Sequence, residues 1–221
     1  MDKASHEIHN VTHEVSSMAA SFAAKIDTIC TSLVERSWVV VPDFLDTESC
    51  RHLVADIQDL QSQGLMRPAG VGRGEQLQIA PEVRSDLIYW LDDTNLTPSQ
   101  ATAYQQLQAL QLALNRTLFF GLRSLEAHLT LYKSAGAYAK HVDNFSGTSA
   151  RFLSCIIYLS PDYHSADGGQ LRLYQPATPT EVAAEVEPRG GTLACFLSAQ
   201  VPHEVLTTNR ERYSLTAWFR T

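Results

Sequence analysis

The chain has 221 residues, of which 44% are hydrophobic and 19% are charged, and it carries a formal net charge of -7. This composition is typical of a globular protein with a substantial core and excludes an intrinsically disordered chain. An acidic chain offers no broad basic surface, so we expect neither nucleic acid nor a membrane as a partner.

The sequence also indicates a cytoplasmic location. No segment reaches the roughly 18 consecutive apolar residues of a membrane span, and no charged segment followed by an apolar one opens the chain as a signal peptide would. The four cysteines show neither a disulfide nor a zinc spacing. Thiols that stay reduced are typical of a reducing compartment, so we expect the cytoplasm.

The first helical signal follows a polar arm. Residues 1–15 lack a clear apolar period, and we treat them as an arm that is either disordered or an added helix. From residue 16 onward, apolar side chains recur at intervals of three and four, which predicts an amphipathic helix that ends near Ser37, with a strand starting at Trp38. The apolar stripe consists of Met18, Phe22, Ile26, Ile29 and Leu33.

Two further helices have clear start signals. Asp46 or Thr47 can cap a helix that runs to about Gly64. Thr97, with a proline at the first helical position, begins another helix that ends near Leu118. Each has an apolar face, so we expect the helices to pack against the outside of a sheet.

From residue 126 onward the pattern changes to short apolar strands. Turns rich in Gly, Pro, Asn and Asp separate them, and no helix-length periodic segment follows. This pattern predicts a sandwich or jelly roll, and by itself it leaves several all-β topologies open. We predict a mainly β fold with supporting α-helices: one domain over residues 16–221, with helical support over 16–120 and a β core over about 126–221.

Two histidines and one aspartate have the chemistry and spacing of a metal site. His141 and Asp143 are two residues apart, so in an extended segment their side chains point to the same face. His203 follows a second apolar strand that can run beside the first. Two imidazoles and one carboxylate bind one face of Fe(II) in non-haem oxygenases and leave adjacent positions for substrate and dioxygen. We therefore predict an oxygenase.

Arg212 opens a segment whose side chains alternate as in a strand, with Ser214, Thr216 and Trp218 on the same face. If that face lines the interior, a guanidinium is buried beside the metal and needs an anionic partner. A guanidinium binds a carboxylate through two hydrogen bonds. A dicarboxylate that chelates the metal at one end and reaches Arg212 at the other fits both requirements, and 2-oxoglutarate is the natural candidate.

Five short segments, in order along the chain, carry a family resemblance. They are His-Val-Asp-Asn at 141–144, Cys-Ile-Ile-Tyr-Leu at 155–159, Gly-Gly-Gln-Leu-Arg at 168–172, Pro-His-Glu-Val at 202–205 and the strand from Arg212 to Trp218. Together they resemble the 2-oxoglutarate- and iron-dependent prolyl hydroxylases, in the branch that contains the hydroxylases of hypoxia-inducible factor and bacterial relatives acting on elongation factor Tu. Collagen-type enzymes usually have Lys at the position of Arg212. The resemblance implies a double-stranded β-helix, or jelly-roll core, packed by N-terminal helices.

The resemblance also implies a role for each matching residue. The two histidines and the aspartate would bind Fe(II), which makes His141, Asp143 and His203 catalytic through the iron. Arg212 would hold the distal carboxylate of 2-oxoglutarate with help from the hydroxyl of Tyr158. Further matches to the cosubstrate pocket are Tyr132, near the metal-chelating end, and Leu171, Thr216 and Trp218.

A segment before the β core resembles the peptide-binding part of the same branch. Arg-Ser-Asp-Leu-Ile-Tyr-Trp at 84–90 resembles an Arg-Gly-Asp-x-Ile-x-Trp run, with Ser in place of Gly, that follows a mobile loop closing over the substrate. The preceding residues 68–74 have the glycine content of such a lid. The substrate contacts expected from these matches are Arg73, Arg84, Trp90 and Arg151.

The implied reaction uses Fe(II), 2-oxoglutarate and O2, with ascorbate as the reductant, and yields 4-hydroxyproline. The expected partner is a proline-containing protein or peptide, with elongation factor Tu as the candidate. Two alternatives stay open: a hydroxylase of a free amino acid or other small metabolite, because the ligand residues do not encode substrate size, and a non-catalytic jelly-roll binding protein.

The remaining histidines are interpreted as ordinary surface residues or as buried residues with satisfied hydrogen bonds: His6, His9, His13, His52, His128 and His164.

Overall fold

The computed structural model describes residues 3–72, 78–144 and 151–221, with side chains of the first helix from residue 20 onward. In these ranges three helices accompany eleven strands, which form two antiparallel sheets. The prediction of a mainly β fold with supporting helices is therefore confirmed. No helix in the described ranges is both long and apolar enough to cross a membrane.

The first helix, α1, spans Lys3–Arg36 and therefore runs through most of the segment treated as a polar arm. It ends beside Ser37, as the apolar period predicts. Ile26, Ile29 and Leu33 from the predicted stripe are buried, whereas the side chain of Met18 lies outside the described set. The stripe packs toward the sheet because only that face of the helix can remove apolar area from water.

The second and third helices have the predicted caps. Helix α2 spans Thr47–Ser62, and the carboxylate of Asp46 accepts a hydrogen bond from its first turn. Helix α3 spans Pro98–Leu118 and begins with a capping box between Thr97 and Gln100. These bonds satisfy backbone N–H groups that have no partner within the helix.

The strands, in chain order, are β1 (Trp38–Val41), β2 (Arg67–Pro68), β3 (Leu87–Trp90), β4 (Ser124–Tyr132), β5 (Tyr138–His141), β6 (Arg151–Tyr158), β7 (Leu171–Tyr174), β8 (Val182–Val186), β9 (Leu193–Leu197), β10 (His203–Val205) and β11 (Arg212–Arg220). The larger sheet has the order β1-β9-β6-β11-β4-β3-β2, and the smaller sheet has the order β5-β10-β7-β8. The sequence patterns did not predict β3 as a strand. It extends the larger sheet by pairing with β4.

Two apolar clusters follow from this layering. One joins the helices to the outer face of the larger sheet, with Ile29, Leu53, Leu107 and Leu215 among its buried members. The other lies between the two sheets. Because a strand presents alternate residues to opposite faces, the same strands pack the helices and line the space between the sheets.

Cys155 and Cys195 lie opposite each other on β6 and β9, with their sulfur atoms 3.1 Å apart. Both are free thiols in the helix-facing core. Their spacing along the chain did not predict this proximity, because antiparallel pairing of distant strands brings them together.

Candidate active site

The three predicted metal ligands meet at one end of the space between the sheets. Strands β5 and β10 pair so that His141 and His203 are direct cross-strand partners, and Asp143 follows β5. Its Oδ1 atom lies 3.3 Å from Nε2 of His141 and 3.7 Å from Nε2 of His203. All three candidate ligand atoms lie within 4.8 Å of one another, a spacing that one metal ion can bridge.

Backbone carbonyls orient both imidazoles. Nδ1 of His141 lies 2.8 Å from the carbonyl oxygen of Ala139, and Nδ1 of His203 lies 3.1 Å from that of Val201. A proton on each Nδ1 donates to the carbonyl, so the lone pair of each Nε2 points toward the shared site. Burial lowers the pKa of His203 to about 4, which keeps this imidazole neutral, as a metal ligand must be.

The Asp143 carboxylate is oriented by two donors. Its Oδ2 atom accepts hydrogen bonds from Oγ of Ser154 at 2.6 Å and from Nε1 of Trp218 at 2.9 Å. Oδ1 is thereby left facing the two imidazoles. Burial by itself raises the pKa of this carboxyl, but His203, His141 and the Ser154 hydrogen bond outweigh it and hold the pKa well below its usual range. Two imidazole nitrogens and an ionised carboxylate oxygen fit Fe(II).

A cavity of about 480 Å³ extends from this ligand set between the sheets. The inner face of β11 forms one wall, and Arg212, Ser214, Thr216 and Trp218 all line it. Because Trp218 reaches the carboxylate ligand and Arg212 lies six residues earlier on the same strand, the ligand set and the guanidinium occupy opposite ends of the cavity.

The Arg212 end contains buried polar atoms that have no partner among the described residues. Arg212 is 3% exposed, and both its Nε and Nη2 lack a hydrogen-bond partner, as does the hydroxyl of Tyr158. Its guanidinium carbon lies 4.9 Å from the ring centroid of Tyr158 and 5.1 Å from that of Tyr132. Burial raises the pKa of Tyr158 to about 12, so its hydroxyl remains a donor. Such a group of donors fits one carboxylate.

Gly169 lies beside the side chain of Arg212, where a larger residue would collide with it. Gly169 has a φ of +71°, and a Cβ atom built there would lie 2.9 Å from Cδ of Arg212. The Gly-Gly motif singled out in the sequence therefore has a steric reason, because a side chain at this position would displace the guanidinium.

The other predicted site residues have distinct positions. Tyr132 and Leu171 line the cavity. Arg84 forms a two-point ion pair with Asp86, with its Nε 2.8 Å from Oδ1, and Arg151 pairs with Glu126. Both arginines also line the cavity. Trp90 is 47% exposed, and Arg73 lies outside the described residues. Substrate contact by these four residues stays a prediction.

Four residues near the site were not assigned a role from the sequence. Ser154 holds the carboxylate ligand, and the ring of Tyr138 stacks on His141 with centroids 3.7 Å apart. His128 and Thr130 line the cavity from β4. His128 was interpreted as an ordinary histidine, yet its alternation with Thr130 and Tyr132 along one strand face could have placed all three on the same wall.

Comparison with known proteins gives the family. The family model described as the 2OG-Fe(II) oxygenase superfamily matches residues 127–220. The hypoxia-inducible factor prolyl hydroxylase of Caenorhabditis elegans is 30% identical over 205 residues, a match that covers 86% of this chain and 27% of that protein. Egl nine homolog 1 of Homo sapiens is 26% identical, with 81% of this chain and 43% of that protein covered. The chain thus spans less than half the length of either relative.

Two solved structures share the fold. A Pseudomonas putida prolyl-4-hydroxylase is 34% identical, with a TM-score of 0.80, and the match covers 89% of this chain and 99% of that one. A Trichoplax adhaerens prolyl hydroxylase, solved with a peptide of the hypoxia-inducible factor oxygen degradation domain, also has a TM-score of 0.80 but is 20% identical, with 92% of each chain covered. Both likenesses agree with the predicted jelly-roll core. The chain belongs to the family of 2-oxoglutarate- and Fe(II)-dependent prolyl hydroxylases.

Proposed function

We propose that this protein is a dioxygenase that uses Fe(II), 2-oxoglutarate and O2 to hydroxylate a prolyl residue, giving 4-hydroxyproline in a protein substrate. One observation carries the proposal. A His-Asp-His ligand set and a buried arginine that has no carboxylate partner among the described residues occupy opposite ends of one cavity. A dicarboxylate that binds both ends satisfies the unpartnered donors and brings its other end to the metal.

Each end of the cavity has a defined task. His141, Asp143 and His203 would hold Fe(II), and Arg212 with Tyr158 would bind the distal carboxylate of 2-oxoglutarate. When bound, the metal and cosubstrate would supply the oxidative chemistry: 2-oxoglutarate and O2 would give CO2 and succinate, with one oxygen atom of O2 in the succinate and the other in the hydroxyl group of the substrate. The protein orients both groups and excludes water from the cavity.

The fixed orientations of the three side chains favour metal binding. Hydrogen bonds from Ser154 and Trp218 leave one carboxylate oxygen of Asp143 facing the metal position. Carbonyls hold both imidazoles with Nε2 toward the same point. Hydrogen bonds to the atoms of the ligands that do not face the metal raise metal affinity, because the ligands then lose little freedom on binding.

The cavity mouth supports a proline-containing substrate. Tyr138 stacks on the ligand His141, and Trp218 borders the same space with Arg151 lying 3.7 Å from its ring centroid. Flat aromatic faces suit a compact apolar ring such as that of proline. The sequence likeness to the Pseudomonas putida prolyl-4-hydroxylase along nearly its whole length favours the same substrate residue.

We further propose elongation factor Tu as the partner, ascorbate as the reductant and the cytoplasm as the location. The first two rest on the resemblance to bacterial relatives in this branch. The free thiols of all four cysteines support the third, because cysteines that remain unpaired are usual in reducing compartments.

The test is succinate production by the purified protein with Fe(II), ascorbate and 2-oxoglutarate, with and without a proline-containing peptide from elongation factor Tu. We expect the peptide to accelerate succinate release and to gain the mass of one oxygen on proline, and His203→Ala to abolish both. Succinate without peptide modification would instead favour a small-metabolite hydroxylase. Absence of succinate despite bound iron would favour the non-catalytic binding protein.

A further inference from the structure

A line of polar side chains crosses the cavity wall between its two ends. Strands β4 and β11 pair with His128 opposite Thr216 and Thr130 opposite Ser214. All four side chains line the cavity. Oγ1 of Thr130 lies 2.9 Å from Nδ1 of His128 and 3.4 Å from Oγ1 of Thr216. His128, Thr130 and Thr216 therefore form a connected set of imidazole and hydroxyl groups on this wall.

The imidazole of His128 is held in one orientation. It is 2% exposed and contacts Trp90 edge to face, with ring centroids 4.9 Å apart, and Trp218, with centroids 5.2 Å apart. Burial lowers the pKa of His128 to about 4, so the ring is neutral near pH 7. A neutral imidazole carries one N–H donor and one acceptor nitrogen, and its hydrogen bond to Thr130 then depends on which nitrogen holds the proton.

The position of these groups along β11 indicates what they face. Thr216 lies between Arg212, at the distal-carboxylate end, and Trp218, whose indole reaches Asp143. A dicarboxylate that spans the two ends must pass this stretch of wall. Its metal-chelating half, with the keto oxygen and the adjacent carboxylate, is the part next to Thr216.

We propose that His128 is a positioning residue for 2-oxoglutarate, acting through Thr130 to orient the hydroxyl of Thr216 toward the chelating half of the cosubstrate. This inference rests on the proposed function and deepens it. With the proton on Nδ1, His128 donates to Thr130, and Thr130 donates to Thr216. The hydroxyl proton of Thr216 is then available to the anionic ligand.

The 3.4 Å step between the two threonines is longer than an ordinary hydroxyl hydrogen bond. Contacts of this kind are often long in ligand-free sites and tighten when the ligand binds. We therefore expect 2-oxoglutarate to shorten this contact and to select the Nδ1–H form of His128. The imidazole ¹⁵N chemical shifts of His128 report that form directly.

Two substitutions test the positioning role of His128, one by removing its nitrogen atoms and the other by removing its aromatic ring. His128→Phe keeps an aromatic ring against the two tryptophans and removes the nitrogen, whereas His128→Asn keeps a donor near the Nδ1 position and loses most of the ring. We expect calorimetry on the Zn(II)-loaded protein to give a dissociation constant for 2-oxoglutarate that is roughly fivefold higher for His128→Phe, as for loss of one neutral hydrogen bond. His128→Asn should remain within about twofold of the parent protein.

The isosteric Thr130→Val variant removes the middle hydroxyl. Its dissociation constant for 2-oxoglutarate should match that of His128→Phe. The double variant should bind no more weakly than either single variant, because all three interrupt the same series of hydrogen bonds. If His128→Asn bound 2-oxoglutarate more weakly than His128→Phe, His128 would act only by packing and the inference would be overturned. Additive losses of affinity in the double variant would also overturn it. If the parent protein itself bound no 2-oxoglutarate, the proposed function would fail instead.

Discussion

The two ends of the cavity differ in how their polar atoms are satisfied. At the metal end, the non-ligating atoms of both histidines and the aspartate have hydrogen-bond partners within the protein. At the other end, two nitrogens of Arg212 and the hydroxyl of Tyr158 are buried without hydrogen-bond partners in the part of the chain that the structure describes. The first end is organised before any ligand arrives, whereas the second carries a desolvation cost that a bound carboxylate removes.

This difference has a functional consequence. A preorganised ligand set binds a metal ion with little rearrangement of its side chains. The donors around Arg212 instead gain their partner only when the cosubstrate enters, which couples the stability of the protein to cosubstrate concentration. Substitutions at each end should therefore have different signatures.

The largest effect is expected from Asp143→Ala, which removes the charged ligand and leaves the donors of Ser154 and Trp218 without their acceptor. We expect no stoichiometric Fe(II) binding and no succinate production, measured by metal analysis and a turnover assay. Glu204→Ala is the matched control, because this acidic residue follows a ligand directly but bonds to Arg172 and Tyr174. Retained iron in Asp143→Ala would contradict the assigned ligand set.

Arg212→Met should change binding and stability in opposite directions. Loss of charge-assisted hydrogen bonds should raise the dissociation constant for 2-oxoglutarate by roughly 100-fold or more. Without 2-oxoglutarate, the free energy of unfolding should increase by about 1–3 kcal/mol, because an unpartnered buried guanidinium has been replaced by an apolar side chain. Urea unfolding with and without 2-oxoglutarate measures both effects. A variant less stable than the parent would mean that Arg212 already has a partner.

His128, on the wall between the two ends, should make the free energy of unfolding depend on pH. In the unfolded chain His128 has its ordinary pKa of about 6.5, whereas burial in the folded protein lowers the pKa to about 4. Between these values only the unfolded form binds the proton, so this contribution to stability is complete above pH 6.5 and is lost as the pH falls toward 4. It amounts to roughly 3 kcal/mol. As the pH falls over this range, the free energy of unfolding should decrease less steeply for His128→Phe than for the parent protein. Equal slopes against pH would contradict the lowered pKa of His128.

Ser154→Ala should weaken the metal end without removing a ligand. The carboxylate of Asp143 keeps the indole of Trp218 but loses its shorter hydrogen bond. We expect iron affinity to fall by roughly 10- to 100-fold, as is usual when a hydrogen bond to a metal ligand is removed. Ser198→Ala is the control, since its hydroxyl contacts Ser154 rather than the carboxylate. A larger effect at Ser198 than at Ser154 would contradict this arrangement.

Gly169→Ala should have the smallest effect of these substitutions. With its control, it separates displacement of the Arg212 side chain from the strain of a positive φ. The positive φ should lower the free energy of unfolding by about 1–2 kcal/mol, and contact with Arg212 should weaken 2-oxoglutarate binding several-fold. Gly64→Ala has a similar φ of +68° with no atom within 4 Å of the added Cβ. It should lose no more stability than Gly169→Ala, whose added Cβ also lies 3.0 Å from Cβ of Thr208, and it should bind 2-oxoglutarate normally. Equal binding by both variants would remove the steric role of Gly169.

Local patterns in the chain were enough to predict several elements. Caps at Asp46 and Thr97 located two helices, and the apolar period located the end of α1. The His-x-Asp spacing and the alternation from Arg212 put their side chains on common faces, because strand geometry repeats every two residues. These signals are short-range, so the sequence alone carries them.

The sequence by itself determined the types of the candidate metal ligands, the end of α1, the starts of α2 and α3, and the change from helical to β structure. Only the tertiary structure decided that Ser154 and Trp218 hold Asp143, that Arg212 is buried with no partner within residues 3–72, 78–144 and 151–221, and that His128 faces the cavity rather than solvent. Each of these depends on pairing between strands that lie far apart in the chain. Register and burial arise from that pairing, and no local residue pattern specifies them.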